Sequence, residues 1–81
     1  VGRYFFHLRD HTDEMLDPDG VELSGIVEAC SVALEAARDT LSHDMKNGVL
    51  DLRYRIDVEH AVAGLVHSLP FKQAFSVIEL D

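Results

Sequence analysis

Apolar and polar residues change period several times along this chain of 81 residues, and each period predicts an element. Arg3 to Arg9 alternates, with Tyr4, Phe6 and Leu8 on one side and Arg3, Phe5, His7 and Arg9 on the other. Period two with aromatic residues predicts a strand, and the first set, being more uniformly apolar, is assigned to the core. Asp10 to Leu23 keeps no period. Within it, Asp17-Pro18-Asp19-Gly20 puts Asp, Pro and Gly where a type I turn favours them. A short strand from Glu14 to Asp17 is expected to fold back on the first, with Val21 and Leu23 dropping into the core. From Ser24 to Asn47 the period becomes helical, because Ile26, Cys30, Leu34, Ala37, Leu41 and Met45 form one stripe at steps of three and four. Ser24 is the expected N-cap, Glu28 suits the positive first turn, and Asn47-Gly48 supplies the stop.

Alternation returns at Leu50 to Val58, where Leu50, Leu52, Tyr54, Ile56 and Val58 oppose Asp51, Arg53, Arg55 and Asp57. This predicts a half-buried antiparallel strand. Glu59 to Gly64 holds the reversal. Leu65 to Leu69 forms the return strand, with Leu65, His67 and Leu69 sharing a side, and Pro70 ends it. Phe71, Ala74 and Phe75 are spaced for a short helical turn, and Val77 to Leu80 for a last edge segment. The expected fold is a single α+β domain over residues 1–81 in the order β-β-α-β-β. One long helix packs on one face of an antiparallel sheet of three to four strands, in two layers.

Composition narrows the function classes. The formal charge is -8, with 15 Asp plus Glu against 7 Lys plus Arg, which argues against general polyanion binding. The one cysteine, Cys30, excludes an internal disulfide framework and suits a reducing compartment. No apolar run approaches the roughly 18 residues of a membrane span, and no leader pattern precedes the first strand, so a cytoplasmic location and no membrane partner are expected.

The string Arg3-Tyr4-Phe5-Phe6-His7-Leu8-Arg9-Asp10 resembles the opening of a family of small proteobacterial proteins, common in rhizobia and their relatives, classed as a domain of unknown function. The resemblance continues through Asp19-Gly20-Val21-Glu22-Leu23, the alanine-rich helix around Ala29, Ala33 and Ala37, and Leu69-Pro70-Phe71 with Ala74. It departs at the second hairpin, where members usually show an acidic-glycine turn and this chain has Glu59-His60-Ala61-Val62-Ala63-Gly64. The resemblance implies a small cytosolic α+β domain and brings no activity, substrate or catalytic residues. The order of hairpin, acidic turn and alanine-rich helix is also similar to antitoxin domains of the HicB kind. Those often carry a DNA-binding extension, for which the residues after Phe75 are expected to be too few.

Candidate chemistry is sparse. His7 and His11 with Asp10, Asp13 and a distant His60 suggest a Zn²⁺ or Ni²⁺ site, but four-residue spacing on a strand running into a loop does not converge as on a helix. Six carboxylates lie between Asp10 and Glu22. With Gly20 at the sixth position of a calcium loop, Met15 and Ile26 fall at the two anchor positions where carboxylates are required. Cys30 lies on the apolar stripe as a small core residue. The serines lack a nucleophile-elbow context, and no glycine-rich phosphate loop is present. No enzyme, catalytic residue, metal or cofactor is expected.

The sheet face turned away from the helix is the remaining candidate. It is expected to display Arg3, Phe5, His7 and Arg9 beside Arg53 and Arg55, with Asp51 and Asp57 between them. Four of the seven cations would then share one locally basic surface. Three readings follow: a solvated face with cross-strand Arg-Asp pairs, a stacking platform for single-stranded nucleic acid or another anionic ligand, or a surface or edge that mates with a second copy or a protein partner. No second helix is available to cover the sheet, so the sequence favours a homo-oligomer or another protein complex.

Overall fold

A computed structural model describes residues 1–80; Asp81, the last residue of the expected domain, lies outside the described residues. The elements are β1 (Gly2–Arg9), β2 (Glu14–Met15), β3 (Val21–Leu23), α1 (Ile26–Lys46), β4 (Arg55–His60) and β5 (Gly64–Pro70), followed by one 3-10 turn at Phe71–Gln73. All strand pairs are antiparallel, the sheet order is β2-β1-β4-β5, and β3 pairs with the same edge of β1 as β2. The α+β class and its order are as the periodicity predicts, with Val21–Leu23 adding a fifth strand.

Segment 16–20 interrupts the outer edge of β1, and Asp17 takes over the missing ladder. Its Oδ2 accepts the Phe6 N–H at 3.2 Å, while Oδ1 accepts the N–H groups of Gly20 (3.1 Å) and Asp19 (3.3 Å). Gly20 closes the turn at φ 66°, where a Cβ would run into the Tyr4 carbonyl and the Phe5 ring.

Tyr4, Ile56, Val58 and Leu69 enter the core from the sheet, and Phe71 and Ala74 plug its end. From α1 the buried residues are Ala29, Ala33, Ala37 and Leu41, all at steps of four. The predicted stripe is therefore displaced by about one position. Cys30 and Leu34 are half-buried, and Ile26 and Met45 are exposed. The sheet side chains supply the volume, so alanines bring the helix close, and Cα atoms of α1 and β4 approach within 8 Å. Gly25, not Ser24, is the N-cap; the Ser24 N–H and hydroxyl both donate to Glu28 Oε1, at 2.9 and 3.2 Å.

Three further expectations change. The second long strand begins at Arg55 rather than Leu50, because Asp51 side-chain oxygens capture the Arg53 N–H and guanidinium and hold residues 51–53 in a turn. A bulge in β5 shifts the register at Val58/Glu59, so Leu65 lies opposite Glu59 and leaves the side of His67 and Leu69. Residues 74–80 form no strand. At the second hairpin, where the chain departs from the family's acidic-glycine turn, Gly64 takes φ 80° and His60 Nδ1 accepts the N–H groups of Val62 and Ala63, each at 3.1 Å.

Candidate functional site: the open sheet face and the free edge

Residues opposite one another in an antiparallel pair point to the same face. The register therefore puts Glu22 beside Arg3, Glu59 beside Phe5, Asp57 beside His7, and Arg9 between Arg55 and Glu14. Sequence reading placed the cations here and missed Glu14, Glu22 and Glu59, which only the strand register reveals. Arg3, Arg9 and Arg55 face Glu14, Glu22, Asp57 and Glu59, so the open face is not basic. Arg53 is not on it: in the turn before β4 its side chain is 73% exposed and paired with Asp51 at 2.8 Å.

Asp57 is the hub. Arg9 and Arg55 are directly opposite one another, and their guanidiniums reach its carboxylate at 3.0 and 3.2 Å. Ser68 on β5 donates its hydroxyl to the same group at 2.6 Å. Burial by itself would raise the Asp57 pKa, but Ser68, Arg9 and Arg55 outweigh it and hold the carboxyl below its ordinary value. Arg9 also binds Glu14 at 2.9 Å, and Glu14 followed by Asp57 raises the pKa of its guanidinium. Arg3 pairs with Glu22 at 3.4 Å and donates to the Asp19 carbonyl at 2.9 Å.

His7, 8% exposed, is a structural residue. Its Nδ1 accepts the Asp17 N–H at 3.0 Å, and Nε2 lies 2.9 Å from Glu59. Accepting at Nδ1 requires the proton on Nε2, which donates to Glu59. Phe5 stacks on His7, with ring centroids 6.3 Å apart and planes at 11°, and its edge meets the Asp17–Gly20 turn. Among the described residues no group of three His, Cys, Asp or Glu side chains is placed to hold a metal ion. A cleft of about 130 Å³ walled by Leu8, Met15 and Tyr54, and an open depression of about 350 Å³ between Arg9, Arg55 and Asp13, complete the relief around β2.

The two edges of the sheet differ sharply. On one side β2 and β3 are short, carry Glu14 and Glu22, and flank the acidic loop. On the other side β5 is seven residues long, pairs among the described residues with β4 alone, and contains no Asp, Glu, Lys or Arg (Gly-Leu-Val-His-Ser-Leu-Pro). Leu65 and Val66 on it are 61% and 38% exposed. Isolated edges normally carry lysine or other charges against strand addition; among the described residues the guards here are the bulge and Pro70.

A family model described as Domain of unknown function (DUF6894) matches residues 3–72, which run from the start of β1 through the β5–Phe71 corner. The chain belongs to this family. No curated protein and no solved structure matches it. In this DUF6894 domain, no helix among the described residues is long and apolar enough to cross a membrane.

Proposed function

We propose that this DUF6894 domain is a non-catalytic protein-interaction module that works by strand addition at the outer edge of β5. One observation carries the reading: β5 is the long, uncharged, partly apolar edge of a sheet whose other edge is short and acidic. Strand addition supplies main-chain hydrogen bonds for affinity, and flanking side chains select the partner. The half-buried lone Cys30 and the resemblance to proteobacterial proteins support a bacterial cytosolic setting.

Binding of single-stranded nucleic acid by the open face has less support. Arg3, Arg9 and Arg55 already have carboxylate partners there, and Phe5 is stacked within the domain. Catalysis has less support still, since Asp57 and His7 are both engaged in holding strands together.

Val66→Lys adds a charge to the free edge without touching the core and tests the reading. Association, followed by light scattering and by exchange-broadened NMR signals of β5, is expected to be lost while the melting temperature is kept. Undiminished association in Val66→Lys, with broadening confined to the open face around Arg3 and Phe5, would overturn it.

A further inference from the structure

The strand added at β5, we propose, is β5 of a second copy, antiparallel to the first about a two-fold axis at Ser68; this rests on strand addition at β5. The phase of the edge selects that register. The Phe71 N–H donates to the Tyr54 carbonyl at 3.0 Å, which fixes Phe71 as a residue whose backbone addresses β4. Backbone groups alternate in direction along an antiparallel strand. Leu69 and His67 therefore also address β4, and Ser68 and Pro70 address the open edge.

A two-fold centred on Ser68 sets each Ser68 against its counterpart, with each amide donating to the other's carbonyl. It also sets Val66 opposite Pro70. Pro70 has no N–H, but its carbonyl is available to the Val66 amide, and the two side chains make an apolar contact. An axis at Pro70 would oppose two residues without amides, and an axis at Val66 would fall on the bulge. Axes at His67 or Leu69 would form non-hydrogen-bonded central pairs and route the flanking bonds through the bulge residue Val66 or through Pro70, so Ser68 is the centre whose own hydrogen-bonded pair is clear of both.

The distribution of charge lets a second copy approach at this edge and no other. Each chain carries -8, so two copies repel unless their acidic regions stay apart. In the sheet order β2-β1-β4-β5 the acidic loop is at the far edge from β5. Joining two sheets at β5 separates the β2 edges by seven strand spacings, roughly 30 Å at ~4.8 Å each, well beyond the ~8 Å Debye length at physiological salt. The neutral strands meet, and the acidic edges point outward. Such a dimer is isologous and closes on itself.

Residue-resolved amide exchange on the unmodified chain, with its mass followed by light scattering, tests the proposal. The mass is expected to double with rising concentration, and protection of the Ser68 amide to rise in step. Oxidative cross-linking in a Cys30→Ala background adds a second readout. Ser68→Cys is expected to form a disulfide dimer, since a hydrogen-bonded pair sets Cα atoms about 5.5 Å apart. Leu65→Cys is expected to form none, because six residues of strand, roughly 20 Å, separate it from its counterpart. A dimer whose Ser68 amide exchanges as fast as the monomer's would overturn the axis at Ser68 and leave open-edge pairing to be judged by Val66→Lys. A monomeric mass at every concentration would overturn the second copy, and loss of binding to a different protein in Val66→Lys would still sustain strand addition.

Discussion

Asp57 concentrates on one side chain what holds the open face in order. Arg9 and Arg55, directly opposite each other, would repel across the β1–β4 pair without the carboxylate beneath them. Asp57→Ala is expected to destabilise the domain by about 1–3 kcal/mol in urea unfolding. That is less than for a fully buried pair, because Arg55 still reaches solvent. Ser68→Ala, which removes one donor, is expected to cost about 1 kcal/mol; equal losses in the two variants would show that the arginines do not depend on Asp57. The same carboxylates set the acid limit of the fold. Asp10 is held below the ordinary 3.8 by the N–H groups of Asp13 and Thr12. For Asp17, burial pushes upward and the N–H groups of Gly20, Phe6 and Asp19 outweigh it. Arg53 brings Asp51 down to about 2. Folded carboxyls with depressed pKa bind protons later than the unfolded chain does. Their stabilisation is thus complete above the ordinary value of 3.8 and is lost as pH falls through the folded values. The melting temperature should hold from neutral pH to the top of that window and then fall steeply; a flat profile down to pH 2 would contradict these pairings.

At the scale of elements, the turn that closes on β1 is the most demanding. A Cβ at Gly20 would lie 2.8 Å from the Tyr4 carbonyl and 2.9 Å from the Phe5 ring, at φ 66°. Gly48 has a similar φ of 81° and open space around it. Gly48→Ala is therefore expected to cost only the left-handed strain, about 1 kcal/mol. Gly20→Ala should cost clearly more, because the rigid β1 backbone cannot yield. Thermal melts of the two variants make the comparison, and equal costs would mean that Segment 16–20 moves freely. Which elements form was legible in periodicity: alternation gave β1 and the β4–β5 hairpin, and the Asn47-Gly48 stop ended α1 one residue late. What was not legible is set by tertiary context. The helix stripe was centred on Cys30 and Leu34 because their side chains are the more apolar, whereas the core chose Ala29 and Ala33 to seat α1 close to Val58. Alternation through Leu50 to Tyr54 mimicked a strand, yet Asp51 and Arg53 close a local turn that no period reports. The six face residues were half legible. Arg3, Phe5, His7, Arg9 and Arg55 are on that face, but their carboxylate partners come from strands whose register depends on the Asp17 turn.

For the whole molecule, the distribution of charge turns salt into a test between classes of partner. Residues 10–22 carry six carboxylates and no cation, and they lie at the sheet edge opposite β5. If an anionic polymer were the partner, its affinity would come from counterion release and fall steeply as salt rises. If two copies join at their neutral edges, the charges in play are the like charges of whole chains. Screening them can only relieve repulsion, and at roughly 30 Å there is little to relieve. Self-association is therefore expected to hold constant or tighten slightly between low and moderate salt, while titration with single-stranded DNA or RNA at low salt stays flat. Analytical ultracentrifugation across a salt series reads the first and fluorescence anisotropy the second. An association that weakens with salt, together with a rising anisotropy at low salt, would mean that the arginines of the open face leave their carboxylates for a polyanion. The β5 edge would then be incidental.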